Sequence, residues 1–302
     1  MTNVLVFGAH GQLARALASA SWPRSWRPRF IDRATCDLTD FAAVRRLILS
    51  TNPDLIVNAA AYTAVDQAES EPDLAWAVNA LAPAAMAEAA ACVGAALLHV
   101  SSDYVFSGSL GPPWVEEDET RPLNVYGATK VASEQAVRAA LPRHLIVRTA
   151  WVFDSTGRNF VTTMLRLGRS SSKLSIVNDQ FGRPTAAEDL ARALVHMAYA
   201  AIATDSGWGT YHVTNSGPTV MWAGFADAIF RAAASWYVWR PEIAPIRGCD
   251  YLSAARRPAN SVLNIAKAER TFGLTLRPWD EALRATLARP LPGHGARPAH
   301  AA

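Results

Sequence analysis

Short apolar runs recur through the first half of the chain, at 3–7, 29–31, 54–58, 96–100 and 145–148, and each leads into a segment with helical spacing. Several are nearly unbroken in Leu, Ile and Val, as strands covered on both faces must be. Strands alternating with helices, joined by right-handed crossovers, predict an α/β fold built on a doubly wound parallel sheet. After Trp151 the periodicity loosens. A helix over 159–167, a strand over 174–177, a helix over 188–199 and a strand over 211–213 are expected, the last two returning to the sheet. From Val220 onward the pattern predicts a small lid. The expected organisation is a main domain of 1–158 with 182–218, a smaller C-terminal α/β domain of 159–181 with 219–288, and a tail over 289–302 rich in Pro, Gly and Ala.

The first strand runs into Gly8-Ala9-His10-Gly11-Gln12-Leu13-Ala14 and then a helix, the arrangement that cradles a phosphate. Gly8 permits a tight turn, Gly11 permits close backbone approach, and the helix N-terminus faces a pyrophosphate. The second strand ends at Asp32, roughly 20 residues on, where a carboxylate suits a ribose diol. Arg33 beside it suits a 2′-phosphate instead, so the sequence leaves NADH and NADPH both open. Asp37 and Leu38 fall on the adenine side. Asn58 opens into Ala59-Ala60-Ala61-Tyr62-Thr63, small residues against which a ligand can lie.

The chemistry centres on Tyr126 and Lys130, one helical turn apart and on one face. A phenol titrates near ~10, and an ammonium beside it is expected to lower that value. Ser102, at the carboxyl end of the fourth strand, offers a hydroxyl to the same oxygen. A phenol, an ammonium and a hydroxyl at the ligand edge of a parallel sheet suit carbonyl reduction by a hydride donor. His99, within an apolar run, reads as a satisfied core histidine. The carboxylates of 116–119 read as a solvated face. Arg256 and Arg257 suit either a diphosphate or carboxylates across the lid, and Trp222, Trp236 and Trp239 read as packing.

Composition narrows the setting. Half of the 302 residues are hydrophobic and 18% are charged, ample for a core. A formal charge of +3, dispersed, gives no footprint for nucleic acid. No run of about 18 apolar residues suggests a membrane span, and residues 1–5 enter a strand pattern without the regions of a signal peptide. Three cysteines, widely spaced, give neither a disulfide framework nor a metal cluster. A cytoplasmic location is expected.

The motifs Gly8-x-x-Gly11-Gln12-Leu13, Asn58-Ala59-Ala60-Ala61-Tyr62-Thr63-Ala64-Val65-Asp66, Ser101-Ser102-Asp103-Tyr104-Val105-Phe106 and Tyr126-Gly127-x-Thr129-Lys130 resemble the extended short-chain dehydrogenase/reductases, a Rossmann-fold family. Arg148-Thr149-Ala150-Trp151-Val152-Phe153, Asn178-Asp179-Gln180-Phe181-Gly182-Arg183-Pro184-Thr185 and 255–261 narrow the resemblance, over about 3–288, to the dTDP-4-dehydrorhamnose reductase branch. It implies reduction of the C4 keto group of dTDP-4-dehydro-L-rhamnose, giving a cell-surface polysaccharide precursor. Tyr126 would donate the proton, Lys130 would hold the nicotinamide ribose, and Ser102 would polarise the carbonyl. Gly8, Gly11, Gln12, Leu13, Asp32, Asp37, Leu38, Ala61, Tyr62, Thr63 and Val100 would line NADPH or NADH. Asp103 and Trp151 would meet the sugar nucleotide. Ser102 stands where relatives often carry Thr, and Arg183 where some carry a small residue. The resemblance is compatible with a homodimer and with Mg²⁺, for which no motif is present. Two other readings fit the same motifs: a nucleotide-sugar reductase or epimerase acting on a different sugar, and a non-catalytic subunit like that of methionine adenosyltransferase.

Overall fold

The computed structural model describes residues 1–288; the expected tail over 289–302 lies outside the described residues. Six parallel strands form the central sheet: β1 (Thr2–Phe7), β2 (Trp26–Ile31), β3 (Leu55–Asn58), β4 (Ala96–Ser102), β5 (His144–Thr149) and the strand Gly209–His212. Their order is β2-β1-β3-β4-β5 followed by Gly209–His212, so the chain reverses direction across the sheet between β1 and β3. The expected return of the late strand to the sheet is therefore found. β4 runs two residues further than its apolar run and carries Ser101 and Ser102 within it.

Alternate residues of each strand enter opposite cores, which makes the fold three-layered. Val4, Val6, Val57, Leu98 and Val147 pack with Leu13 and Leu17 of the helix Gln12–Ser19 and Leu190 and Leu194 of the helix Ala187–Thr204. Leu5, Phe7, Ile56, Leu97 and Ile146 pack with Val44 and Ile48 of Phe41–Thr51, Met86 of Ala82–Val93 and Val137 of Val125–Ala140.

The helical stretch Pro72–Val93 is long and apolar enough by composition to cross a membrane, although Asp73, Asn79 and Glu88 interrupt its apolar run. Half of its most apolar window is buried in this fold, where its alanines let it pack closely on the helices Phe41–Thr51 and Val125–Ala140. It contains one π-helical turn, Ala77–Leu81, of a kind that often marks functional sites.

A second apolar cluster joins Val161 and Leu165 of the helix Phe160–Gly168, Phe225 and Ile229 of the helix Trp222–Ala232, and Trp279 and Leu283 of the helix Trp279–Thr286. Lys173–Val177 pairs in parallel with Glu242–Ile246 beside it. Ala268 and Phe272 of the helix Ala266–Phe272 join the sheet's core instead. We propose the division of 1–158 with 182–218 against 159–181 with 219–288 for the two units, tied together by that helix.

Candidate active site

The glycine turn follows β1 directly. Gly8 has a φ of +96°, and a Cβ there would come within 2.9 Å of the Ala60 backbone. Only glycine relieves both constraints. Gly11 donates its N–H to Gly8 O at 2.8 Å and caps the helix Gln12–Ser19. Past β2, Asp32 Oδ1 accepts the Thr35 N–H at 2.8 Å, and Oδ2 lies 3.6 Å from the His10 ring. The Thr35 hydrogen bonds hold the Asp32 carboxyl below its ordinary range. Arg33 is paired to Asp37 at 3.0 Å, and both side chains keep solvent contact.

A cavity of about 710 Å³ opens along the carboxyl edge of the sheet. Gly8, Gly11, Gln12, Leu13, Asp32, Asp37, Leu38, Ala61, Tyr62, Thr63, Val100, Ser102, Asp103, Tyr126, Lys130 and Trp151 all line it. Every residue that the resemblance assigns to the cofactor or the sugar nucleotide therefore lines one cleft. His10, Arg15, Arg158 and Thr149 line it as well and were not anticipated.

Tyr126 sits in the first turn of Val125–Ala140, whose N-cap Asn124 accepts the Gly127 N–H at 2.8 Å. Asn124 Nδ2 in turn donates to Arg256 O at 2.8 Å, so the helix start is fastened to the late segment. A Cβ on Gly127 would lie 2.3 Å from Tyr104 O, so glycine lets the helix close on that loop. Tyr104 and Tyr126 meet edge to face, with ring centroids 5.7 Å apart. Ser102 Oγ is the hydrogen-bond partner of the Tyr126 hydroxyl, accepts the Tyr104 N–H at 3.2 Å, and stands 2.8 Å from Asp103 Oδ1.

One expectation is corrected here. Lys130 does not lower the Tyr126 titration; burial pushes the phenol up to about 12, against the opposing pull of the Ser102 hydrogen bond. The reason is where the ammonium goes: Lys130 Nζ donates to Val100 O at 2.7 Å. Burial brings Lys130 itself down to about 8. Tyr126 is thus held as a neutral phenol, the state a proton donor needs.

His99 is the satisfied core histidine expected, bonded to Asn58 at 3.1 Å and to Ser133 at 2.9 Å. The reading of 116–119 as a solvated face holds for Glu117 and Glu119, which pair with Lys267 and Arg121, but not for Glu116. Glu116 Oε1 accepts the His212 N–H at 2.9 Å, and burial raises its pKa. Arg257 pairs bidentately with Asp66 at 2.6 and 3.1 Å, while Arg256 stays exposed. Trp222 stacks on Trp151, ring centroids 3.4 Å apart. Arg183 donates to Leu263 O at 3.4 Å and lies outside the residues lining the cleft.

Sequence reasoning missed Asn79, in the π-helical turn. Its Oδ1 accepts the Tyr62 N–H at 2.8 Å, and its Nδ2 donates to Tyr62 O at 3.1 Å and Thr129 Oγ1 at 3.2 Å. It therefore ties the 59–63 loop to the Tyr126 helix. A lone asparagine inside an alanine-rich apolar helix was the available signal. Among the described residues no group of three or more His, Cys, Asp and Glu side chains is placed to hold a metal ion.

The six-stranded sheet, the glycine turn and the Ser102–Tyr126–Lys130 cluster at its carboxyl edge define an oxidoreductase of the extended short-chain dehydrogenase/reductase class. The sequence matches the family described as RmlD substrate binding domain over residues 1–291. It is 41% identical over 290 residues to the dTDP-4-dehydrorhamnose reductase of Escherichia coli K12, covering 94% of this chain and 97% of that one. The solved dTDP-4-dehydrorhamnose reductase of Clostridium acetobutylicum superposes with a TM-score of 0.88 at 36% identity, over 95% of this chain and 98% of that one. The one from Bacillus anthracis, in complex with NADP, gives 0.86 at 35% identity over 95% and 99%. The chain belongs to the dTDP-4-dehydrorhamnose reductase family.

Proposed function

We propose that this chain reduces the C4 carbonyl of dTDP-4-dehydro-L-rhamnose to the alcohol of dTDP-L-rhamnose, with NADPH or NADH as reductant. The observation that carries the reading is the contact of Ser102 with Tyr126 in a cleft that also contains the glycine turn.

The cleft fits a dinucleotide. The turn at Gly8 has no room for a side chain, and Gln12 Oε1 is buried without a partner at the start of the adjoining helix. Gly8, Gly11, Gln12 and Leu13 would hold the pyrophosphate, Asp32, Asp37 and Leu38 the adenosine, and Ala61, Tyr62, Thr63, Val100 and Lys130 the remainder. When bound, the nicotinamide supplies the hydride.

Tyr126 gives its proton to the C4 oxygen as negative charge develops there. Ser102 hydrogen-bonds the same oxygen and fixes the carbonyl between strand end and helix start. Lys130, anchored on Val100 O, holds the ribose hydroxyls; Asp103 and Trp151 receive the sugar. A cytoplasmic setting and a homodimer belong to the same reading.

The test is consumption of NADPH and of NADH, followed by absorbance, with enzymatically prepared dTDP-4-dehydro-L-rhamnose and a panel of other 4-keto sugar nucleotides. Oxidation only with a different sugar would move the substrate. No oxidation with any would count against an enzyme.

A further inference from the structure

Ser102 has one proton to give and two lone pairs to fill. Its Oγ already meets the Tyr104 N–H, the Tyr126 hydroxyl and, at 2.8 Å, Asp103 Oδ1. A charged Asp103 can only accept, so it would take the single Ser102 proton and leave none for a carbonyl oxygen. A neutral Asp103 reverses that bond, and an O···O separation of 2.8 Å suits either direction.

The surroundings favour the neutral acid. Asp103 is only 3% exposed, and its Oδ2 is buried with no hydrogen-bond partner. A bare buried oxygen is far more costly on a carboxylate than on a carboxylic acid. The Ser102 hydroxyl is hydrogen-bonded to Asp103 Oδ1, and the Ser261 hydroxyl and the backbone N–H groups nearby oppose the effect of burial. The titratable groups facing this cluster are Tyr104 and Tyr126, with Arg257 and Asp66 beyond Tyr104 committed to each other. Lys130 is turned to Val100 O. Burial pushes the Asp103 titration up to about 6 even with the cleft open.

We infer that Asp103 works as a neutral carboxylic acid that donates to Ser102, turning the Ser102 proton toward the reacting oxygen and recharging Tyr126 after each turnover. This rests on the reduction proposed above. As hydride reaches C4, the Tyr126 O–H bond breaks and the product O–H forms. The Ser102 Oγ–H then breaks as the Tyr126 O–H re-forms, and the Asp103 Oδ1–H breaks as the Ser102 Oγ–H re-forms. Asp103 is left as a carboxylate and regains its proton from water in the cleft it lines.

Two experiments test this. Asp103→Asn keeps a donor toward Ser102 but cannot release a proton. Single-turnover NADPH oxidation at saturating sugar nucleotide is expected to slow in the variant, because Asp103 also meets the sugar, while steady-state kcat falls at least about tenfold further. Wild-type kcat should decline as pH rises through the Asp103 titration, and the variant should be flat there. Equal loss in both regimes, no change in either, or a raised KM with kcat intact would each overturn the inference. Independently, infrared difference spectra of the protein alone should show a protonated-carboxyl stretch that disappears as pH rises and is missing in Asp103→Asn. Its absence from wild type overturns the inference whatever the variant does. Wild type that fails to oxidise NADPH refutes the proposed reaction, while the infrared measurement still decides the state of Asp103.

Discussion

Trp151 is sandwiched between Gly182 and Trp222: a Cβ on Gly182 would lie 2.3 Å from the Trp151 ring, whose other neighbour is the stacked Trp222. Trp151 also has a φ of +51°, a left-handed backbone that a bulky residue rarely adopts. Such strain persists only where the surroundings over-determine it. Gly182→Ala should therefore displace the indole, costing about 1–3 kcal/mol of stability. The expected kinetic signature is a KM for the sugar nucleotide raised about tenfold, with NADPH affinity unchanged by fluorescence titration. Unchanged KM would detach Trp151 from the substrate.

Tyr126→Phe removes the hydroxyl and keeps the ring that packs on Tyr104. Turnover should fall by about 10²–10⁴-fold, with cofactor and sugar nucleotide binding retained by calorimetry. Normal turnover would contradict the proton-donor role.

Ser102 is tested by shape. Ser102→Thr keeps the hydroxyl and should retain activity, whereas Ser102→Ala should lose about 10²–10³ in kcat. Equal activity of the two variants would remove Ser102 from the reaction.

Cofactor choice is argued at the end of β2. Arg33 is 80% exposed and paired with Asp37, so Arg33→Ala should raise KM for NADPH and spare NADH. Asp32→Ala should do the reverse, because a ribose diol loses its acceptor. Parallel shifts for both cofactors in either variant would mean the pair does not discriminate.

Beneath the site, Glu134 is fully buried and receives Arg148 at 2.7 and 2.9 Å, Arg138 at 2.6 Å and Ser101 at 2.6 Å. These partners outweigh burial and hold its pKa below the ordinary glutamate range. Its stabilising contribution is therefore complete above the unfolded carboxylate pKa, near ~4.3, and is lost as pH falls through the depressed folded value. Glu134→Gln leaves Arg148 buried without its counter-charge and should cost about 3–5 kcal/mol at neutral pH. The gap to wild type in denaturant melts should narrow in acid; a constant gap would refute the pairing.

Much of this was legible in the chain because it is local. Strand, glycine turn and helix occupy consecutive residues, and a φ of +96° at Gly8 is a demand that only its own position can meet. Tyr126 and Lys130 share a face by helical period alone. The π turn that carries Asn79 within the helical stretch Pro72–Val93 has no such local marker. Thr149 escaped notice because its place beside Ser102 is set by the register of β4 on β5. Glu116 escaped because its partner, His212, is 96 residues away.

The sequence by itself determined the alternation of strands and helices, the dinucleotide turn and the candidates for the reacting side chains, since backbone preference and side-chain period act over a few residues. Only the tertiary structure decided the proton states. Where an ammonium points, which carboxyl oxygen goes unbonded and how deeply a phenol is desolvated depend on groups brought close from distant parts of the chain. Lys130 is the case in point: four residues placed it near Tyr126, and the packing of its helix on β4 sent its charge to Val100 instead.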